Sequence, residues 1–468
     1  MNDSPLFQVV SQAKAKSRSM GVKLIVVCML ALLMVIPSLF VDNLVNERTS
    51  READVVREIS AHVGGQQTFL GPTLAVPYSI APQTKDGATE RGVYLVFPTQ
   101  ASATVKTKTE ERKRSLFKVP VFDADMRFDA TFDLSGVPAV APQGAVLDWS
   151  RAEMVVGVSD ARGAKADATL TAEGKTSALA PAATAPNITW GDEKSEHTKL
   201  TLFGARVDGI AKPDAKFSVS SSLNFSGAQR IAVLAYGKTT HVTAQGDWAS
   251  PGFDGGFLPV NRDVSANGFS AEWTVPFIAR GVRAEGRADS MAGLEATSLG
   301  VSFVEVTDPY QSVSRSLKYV LLFVGLLFLS YFVFEVTTGK RVHPAQYVLV
   351  GVAQTIFYLL LLSLSERVGF DVGFLIAGGA TVALLSANAG WIFASRLQAV
   401  RALVVFSLLY GLIYMLLTLE DNALLVGAIL SFLAVAAAMY FTRGIDWYSS
   451  LPAPGGAAPP PPLTKEVV

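Results

Sequence analysis

The chain has 468 residues, with Lys+Arg and Asp+Glu both at 40, so its formal charge is zero. Half of the residues are hydrophobic, only 17% are charged, and mean hydropathy is +0.34, a balance of a membrane protein rather than of a soluble one. No basic tract is interleaved with aromatics, which argues against nucleic-acid binding. The single cysteine, Cys28, excludes disulfides and Cys-based metal sites from the rest of the chain.

Hydrophobicity falls into two unequal blocks. Leu24–Val41 (LIVVCMLALLMVIPSLFV) is just long enough to cross about 30 Å of hydrocarbon as a helix. Lys14, Lys16, Arg18 and Lys23 precede it and no small-x-small site follows, so it reads as an uncleaved anchor with residues 1–22 in the cytoplasm. Asn46–His62 continues as a helix with a modest apolar stripe of Val45, Ala53, Val56 and Ile59, and Gly64-Gly65 ends it.

The period then changes to two. Thr73–Tyr78, Gly92–Phe97, Ala103–Thr109, Leu116–Val121 and Arg127–Leu134 read as short strands, as do Phe217–Phe225, Arg230–Tyr236, Thr240–Trp248 and Phe269–Phe277. They predict an all-β, sandwich-like, antiparallel domain. The charged run Lys106–Arg114 reads as an exposed hairpin tip, and residues 161–200, poor in large apolar side chains, as loose strands and loops. Gly252–Pro259 (GFDGGFLP) follows no parallel strand and opens no helix, so it reads as a turn or bulge and not as a phosphate cradle. Asn187-Ile188-Thr189 matches a glycosylation sequon by chance.

Five further apolar runs follow: Tyr319–Val336, Gln346–Leu364, Val368–Ala387, Ala402–Leu419 and Asn422–Thr442. With the anchor they make six predicted transmembrane helices. Lys340, Arg341, Arg396, Arg401 and Arg443 then fall inside, and the short turns Glu366-Arg367 and Glu420-Asp421 outside, as the positive-inside rule expects. The predicted layout is a cytoplasmic N-terminus (1–22), an anchor (23–42), a periplasmic β-rich domain (43–315), a five-helix bundle (316–443) and a cytoplasmic Pro/Gly/Ala-rich tail (444–468). The compartment is the Gram-negative inner membrane, with both termini inside.

The four histidines, His62, His197, His241 and His343, show no ligand spacing, and GxSxG and GxxxxGK[ST] motifs are absent. No catalytic, cofactor-binding or metal-binding residue is predicted. Within the bundle, polar residues are weighed because ionisable groups in spans are costly and often functional. Glu335 is expected to pair at the interface with Lys340, Arg341 or His343, and Asp371 to pair with Arg367 or snorkel. Gln354 and Asn388 are expected to bond between helices, and Gly351, Gly378-Gly379, Gly411 and Gly427 to allow close helix approach. His343, Gln346, Glu335, Ser363, Ser365 and Glu366 form the polar set that a transporter would use. Pro344 marks a helix start in HPAQY.

Several segments stand out together: Thr68–Tyr78 (TFLGPTLAVPY), Gly252–Pro259 (GFDGGFLP), Gly268–Pro276 (GFSAEWTVP) and Asp308–Leu329 (DPYQSVSRSLKYVLLFVGLLFL). They are followed by Phe334-Glu335, HPAQYVLV from His343, FYLLLLSLSE from Phe357, LEDNA from Leu419 and RGIDWY from Arg443. In these segments the chain resembles the CreD family of bacterial inner-membrane proteins. The resemblance implies the same layout and a role in cell envelope integrity, linked to a two-component sensor kinase that responds to envelope stress. It implies no catalytic residue, cofactor or ligand. The expected function is therefore non-enzymatic binding by the periplasmic domain to envelope proteins or a sensor kinase. The alternatives are a membrane transporter or lipid-handling protein using polar residues of the C-terminal bundle, and a partner of a membrane-bound sensor kinase.

Overall fold

Pro37 interrupts the first apolar run. A proline ring removes its own N–H and crowds the carbonyl four residues back. The computed structural model accordingly has two helices, α1 (Met20–Leu33) and α2 (Val35–Val63), meeting at Met34. It describes residues 20–82, 88–114, 116–185, 187–189, 199–288, 293–303, 309–418 and 423–443. Residues 1–19, His197, most of LEDNA and RGIDWY, and the tail lie outside these. The chain divides into two compact units, one formed by residues up to Ser50 and from Thr307 onward, the other by Arg51–Val306.

In the second unit, α2 ends where expected. Gly64 and Gly65 both adopt positive φ, and both N–H groups return to the Ser60 carbonyl at 2.9 Å. Its apolar stripe here is Val55, Val56, Ile59 and Val63, packed on Val119, Val121 and Ala228; Ala53, assigned to that stripe by sequence, is exposed.

Two sheets follow. The larger runs Asn187–Thr189, Lys199–Arg206, Glu153–Val158, Gln67–Ile80, Arg230–Leu234, Ser298–Phe303 and Pro251–Gly255, with Glu90–Val96 also paired to Gln67–Ile80. The smaller runs Asn261–Ser265, Gly268–Val275, Thr239–Gly246, Gln100–Arg114, Phe117–Asp133, Lys216–Ala228, Thr169–Ala172 and Lys175–Ala178. One continuous core joins them. Phe69 of the first meets Phe225 of the second edge-on at 5.3 Å, and Phe253 meets Phe269 and Trp273 at about 6 Å.

Three sequence expectations change. The sheets are not purely antiparallel: Gln67–Phe69 runs parallel to Ile231–Val233, and Thr239–Gly246 parallel to Gln100–Thr107. Leu116–Val121 and Arg127–Leu134 are one strand, Phe117–Asp133. Asp123 and Asp125, which look like punctuation, are simply its outward positions between buried Phe122, Ala124 and Met126. The glycine-rich Gly252–Pro259 is not merely a turn. Its first half pairs with Ser298–Phe303, and only at Gly255 (φ 104°) does the chain leave the sheet. Asp254 in that motif is held by Arg230 Nε at 2.8 Å. The run Lys106–Arg114 does end in a hairpin, with Arg114 opposite Phe117, and its tip side chains are exposed.

Tyr236 ties the two sheets. Its ring lies over Gly71, where a Cβ would come within 2.6 Å, and its hydroxyl reaches the carbonyls of Ser102 (2.7 Å) and Asp129 (3.0 Å). Burial pushes its phenol well above the usual tyrosine range, so it is a neutral donor.

In the first unit, α3 (Pro309–Lys318) precedes α4 (Val320–Thr338), α5 (Pro344–Val368), α6 (Phe370–Phe393), α7 (Arg396–Thr418) and α8 (Ala423–Thr442). Among the described residues, five stretches are long and apolar enough to cross a membrane: Gly21–Val63, Val320–Thr338, Pro344–Val368, Phe370–Phe393 and Arg396–Met415. Two boundaries differ from the sequence reading. The helix expected over Val368–Ala387 runs on to Phe393, and Arg396 and Arg401 lie on the first turns of α7, because the connection is only Ala394-Ser395.

Tyr236→Phe removes the tie without changing shape. We expect a loss of about 1–2 kcal/mol, seen as a lower urea midpoint for the second unit within the full-length protein. An unchanged midpoint would show that the hydroxyl contributes nothing.

Candidate functional site

Two regions gather polar side chains: one inside the membrane unit and one on the β unit.

In the membrane unit, α4 ends at Gly339 in the left-handed conformation (φ 66°), which turns the chain back so that Val342 lies over Glu335. Glu335 is 1% exposed. It is ion-paired with Lys23 of α1. It also accepts hydrogen bonds from the Val342 N–H and the Tyr347 hydroxyl, each at 3.1 Å. Lys23 donates further to the Val342 carbonyl at 2.6 Å. Three groups, on α1, the connection and α5, thus close around one carboxylate of α4.

The partners expected from sequence are elsewhere. Lys340 donates to the Phe393 carbonyl, while Arg341 and His343 are exposed. His343 does start α5: its Nδ1 accepts from the Ala345 N–H at 3.2 Å, with Pro344 in the first turn. The Glu335 carboxylate takes a lysine more than 300 positions away and none of these near neighbours in sequence.

The remaining polar residues join helix to helix. Tyr331 donates to the Leu385 carbonyl at 2.8 Å and accepts from Asn388 Nδ2 at 3.2 Å. Gln354, fully buried, accepts from the Tyr410 hydroxyl at 2.6 Å. Its Nε2, the Tyr358 hydroxyl and the Ser365 hydroxyl are buried without a hydrogen-bond partner. Glu366 accepts from Tyr310 at 3.0 Å and lies 3.8 Å from Arg48 Nε. Asp371 takes a bond from Tyr414 at 3.0 Å, not from Arg367 as sequence proximity implied. Gly351 does allow close approach, to Met34 of the break between α1 and α2, whereas Gly379 and Gly411 face open space. Gln346 is half-buried and Ser363 exposed, so the six polar residues grouped from sequence do not converge.

On the β unit, the strand Lys216–Ala228 points Phe217, Val219, Leu223 and Phe225 into the core. Ser218, Ser220, Ser222 and Asn224 therefore line the outer face of the smaller sheet. Strands on either side extend this hydroxyl row. One shallow hollow of about 510 Å³ is lined by Ser102, Arg127, Asp129, Thr131, Ser220 and His241, among others. A second of about 460 Å³ shares Arg127 and adds Thr104, Lys106, Asp125, Ser222 and Asn224. Arg127 bonds Asp129 at 3.2 Å, and the neutral Asn224 amide donates to Asp125. At its border, the Lys216 ammonium and Ser135 hold the Asp133 carboxyl well below the usual carboxylate range. The face can offer and accept many neutral hydrogen bonds, and it carries charges of both signs.

Sequence reading missed two residues. Lys23 was counted only as a topology charge. Arg280 is buried at 2% exposure, donating from Nε to the Ala235 carbonyl at 2.7 Å and lying 4.1 Å over the Phe97 ring. Burial pulls its guanidinium down to about 10, so it stays charged at neutral pH. No local motif flags either. Among the described residues, no three or more His, Cys, Asp or Glu gather in a way that could hold a metal ion.

The profile of a family described as "Inner membrane protein CreD" matches residues 19–448. The chain is also similar to the Inner membrane protein CreD of Escherichia coli K12. The two are 31% identical over 438 residues, covering 90% of this chain and 92% of that protein.

Removing one partner of a buried charge pair leaves the other unpaired, at a cost of about 3 kcal/mol or more. Glu335→Ala in the full-length protein is therefore expected to lower the unfolding temperature in detergent. Lys23→Met combined with Glu335→Met is expected to recover most of the loss. A double variant as unstable as the single would show that the two charges are not coupled.

Proposed function

The chain belongs to the CreD family of multi-pass inner membrane proteins of the bacterial envelope, and from that premise we propose that it works without catalysis, by binding through its β domain. The role is in cell envelope integrity or the envelope-stress response of a Gram-negative cell. In this reading six helices cross the inner membrane, with α8 the sixth, both termini are cytoplasmic and the β domain is periplasmic. It takes no cofactor, and its partners are envelope components, envelope proteins or a sensor kinase.

The observation that carries the reading is the outer face of the smaller sheet. A sheet face left exposed among the described residues, hollowed and covered with serine, threonine and charges of both signs, suits a ligand recognised by many neutral hydrogen bonds. The distribution of Lys340, Arg341, Arg396 and Arg401 against Glu366-Arg367 supports the orientation.

A second reading, transport or lipid handling by the bundle, has one specific observation behind it: the unpartnered buried atoms of Gln354, Tyr358 and Ser365 on one helix. Complementation separates the two. In a strain lacking the gene, Thr104→Arg with Ser220→Arg is expected to leave cells as sensitive to detergent and β-lactam as the empty strain, at normal membrane levels. Glu335→Gln, His343→Ala and Glu366→Gln are expected to complement wherever the protein reaches normal levels. The opposite pattern would move the activity into the bundle.

A further inference from the structure

A groove of about 370 Å³ runs between α5 and α6 on the face of the bundle away from its centre. Its walls are apolar: Leu349, Ile356 and Leu360 on α5, Ala380 and Leu384 on α6. Both helices are among those long and apolar enough to span a membrane, so this groove opens to hydrocarbon, not to water. The lining from Leu349 to Leu360 covers about 16 Å of helix at a rise of about 1.5 Å per residue. That is about half of a hydrocarbon core of about 30 Å, the depth of one leaflet.

The two ends of the groove differ. The α5 and α6 helices are joined by a single residue, Gly369, and run in opposite directions, so Leu349 and Trp391 lie at the same end. That end is the more polar. Asn388 and Trp391 line it, and Trp391 is 73% exposed, the position of an interfacial indole. Just beyond it, Lys340 binds the carbonyl of Phe393, and Arg396 opens α7 with its side chain exposed. Arg341 is exposed in the same connection as Lys340. No carboxylate forms an ion pair with these three cations among the described residues. The Glu335 carboxylate at this end is already taken by Lys23, the Val342 N–H and Tyr347.

We propose that this groove holds one acyl chain of an anionic phospholipid, whose phosphate sits at the Trp391 end against Lys340 and Arg396. The length matches one leaflet, the lining matches an alkyl chain, and the single cationic rim matches a phosphodiester carrying net negative charge. A zwitterionic lipid fits the walls equally but brings an ammonium to a rim of three cations. A second protein helix would need a polar or small-residue seam running the length of the groove, and the small residues here, Ala353 and Ala380, sit among Leu349, Val352, Ile356, Leu360 and Leu384.

Native mass spectrometry of the full-length protein in mild detergent tests this, with phosphatidylglycerol and phosphatidylethanolamine as probes. Wild type is expected to retain one phosphatidylglycerol under conditions that strip phosphatidylethanolamine. Ala380→Phe fills the groove and is expected to abolish that retention; Ala353→Phe fills it from the other wall and serves if the first variant does not fold. Lys340→Gln with Arg396→Gln is expected to bring phosphatidylglycerol retention down to that of phosphatidylethanolamine. Leu375→Phe, on another exposed part of α6, is expected to change nothing. Equal retention of the two lipids by wild type would overturn the proposal. So would undiminished retention in a folded groove-filling variant, or an equal loss in Leu375→Phe.

Discussion

Hydrocarbon offers no hydrogen bonds, so a charge carried into a helical bundle must find its partner there. Glu335 meets that constraint with Lys23, and the consequence reaches well beyond the pair. The lysine belongs to the first helix and the glutamate to the end of α4, on opposite sides of the whole β unit in sequence. A carboxylate that needs Lys23, the Val342 amide and the Tyr347 hydroxyl together is satisfied only when α1, α4 and α5 are assembled. The first helix is therefore part of the bundle and not a separate anchor. Met34 against Gly351 extends the same contact along α5.

The rest of the bundle repeats this logic with tyrosine hydroxyls. Tyr331 and Asn388, Gln354 and Tyr410, Tyr310 and Glu366 each join two helices with one hydrogen bond. Such bonds contribute little individually, but they fix which helices are neighbours. The β unit solves a different problem. With no disulfide available, it relies on one core shared by two sheets, and Tyr236 links the backbones of both across that core. A rigid two-sheet body leaves the outer face of the smaller sheet free to be polar throughout. That division, apolar within and hydroxyl-rich without, is written into Phe217–Phe225 at a period of two.

Much of this was legible in the sequence because it depends on local period. The switch from helix to strand at Gly64-Gly65, the strand over Phe217–Phe225 and the start of α5 at His343-Pro344 each follow from neighbouring residues. What was not legible depends on contacts distant in the chain. Glu335 has three local candidates for a partner, and no spacing rule points to Lys23. Asp371 has Arg367 one turn away, yet Tyr414 of another helix binds it. The parallel pairing of Thr239–Gly246 with Gln100–Thr107 arises from the order in which strands enter the sheet, which a strand's own composition does not encode. Asp123 and Asp125 misled for the opposite reason: a local breaker signal was outvoted by thirteen consecutive pairings with Lys216–Ala228.

If the β domain acts by binding, its polar face must touch something in the cell. The direct measurement is photocrosslinking in living cells, with a photoreactive residue replacing Ser220 and, as a control, Leu375 on α6. The account predicts a discrete adduct to an envelope component from position 220 and none of that kind from position 375. Cells grown under envelope stress that yield no adduct from position 220, with the protein at normal levels, would contradict it.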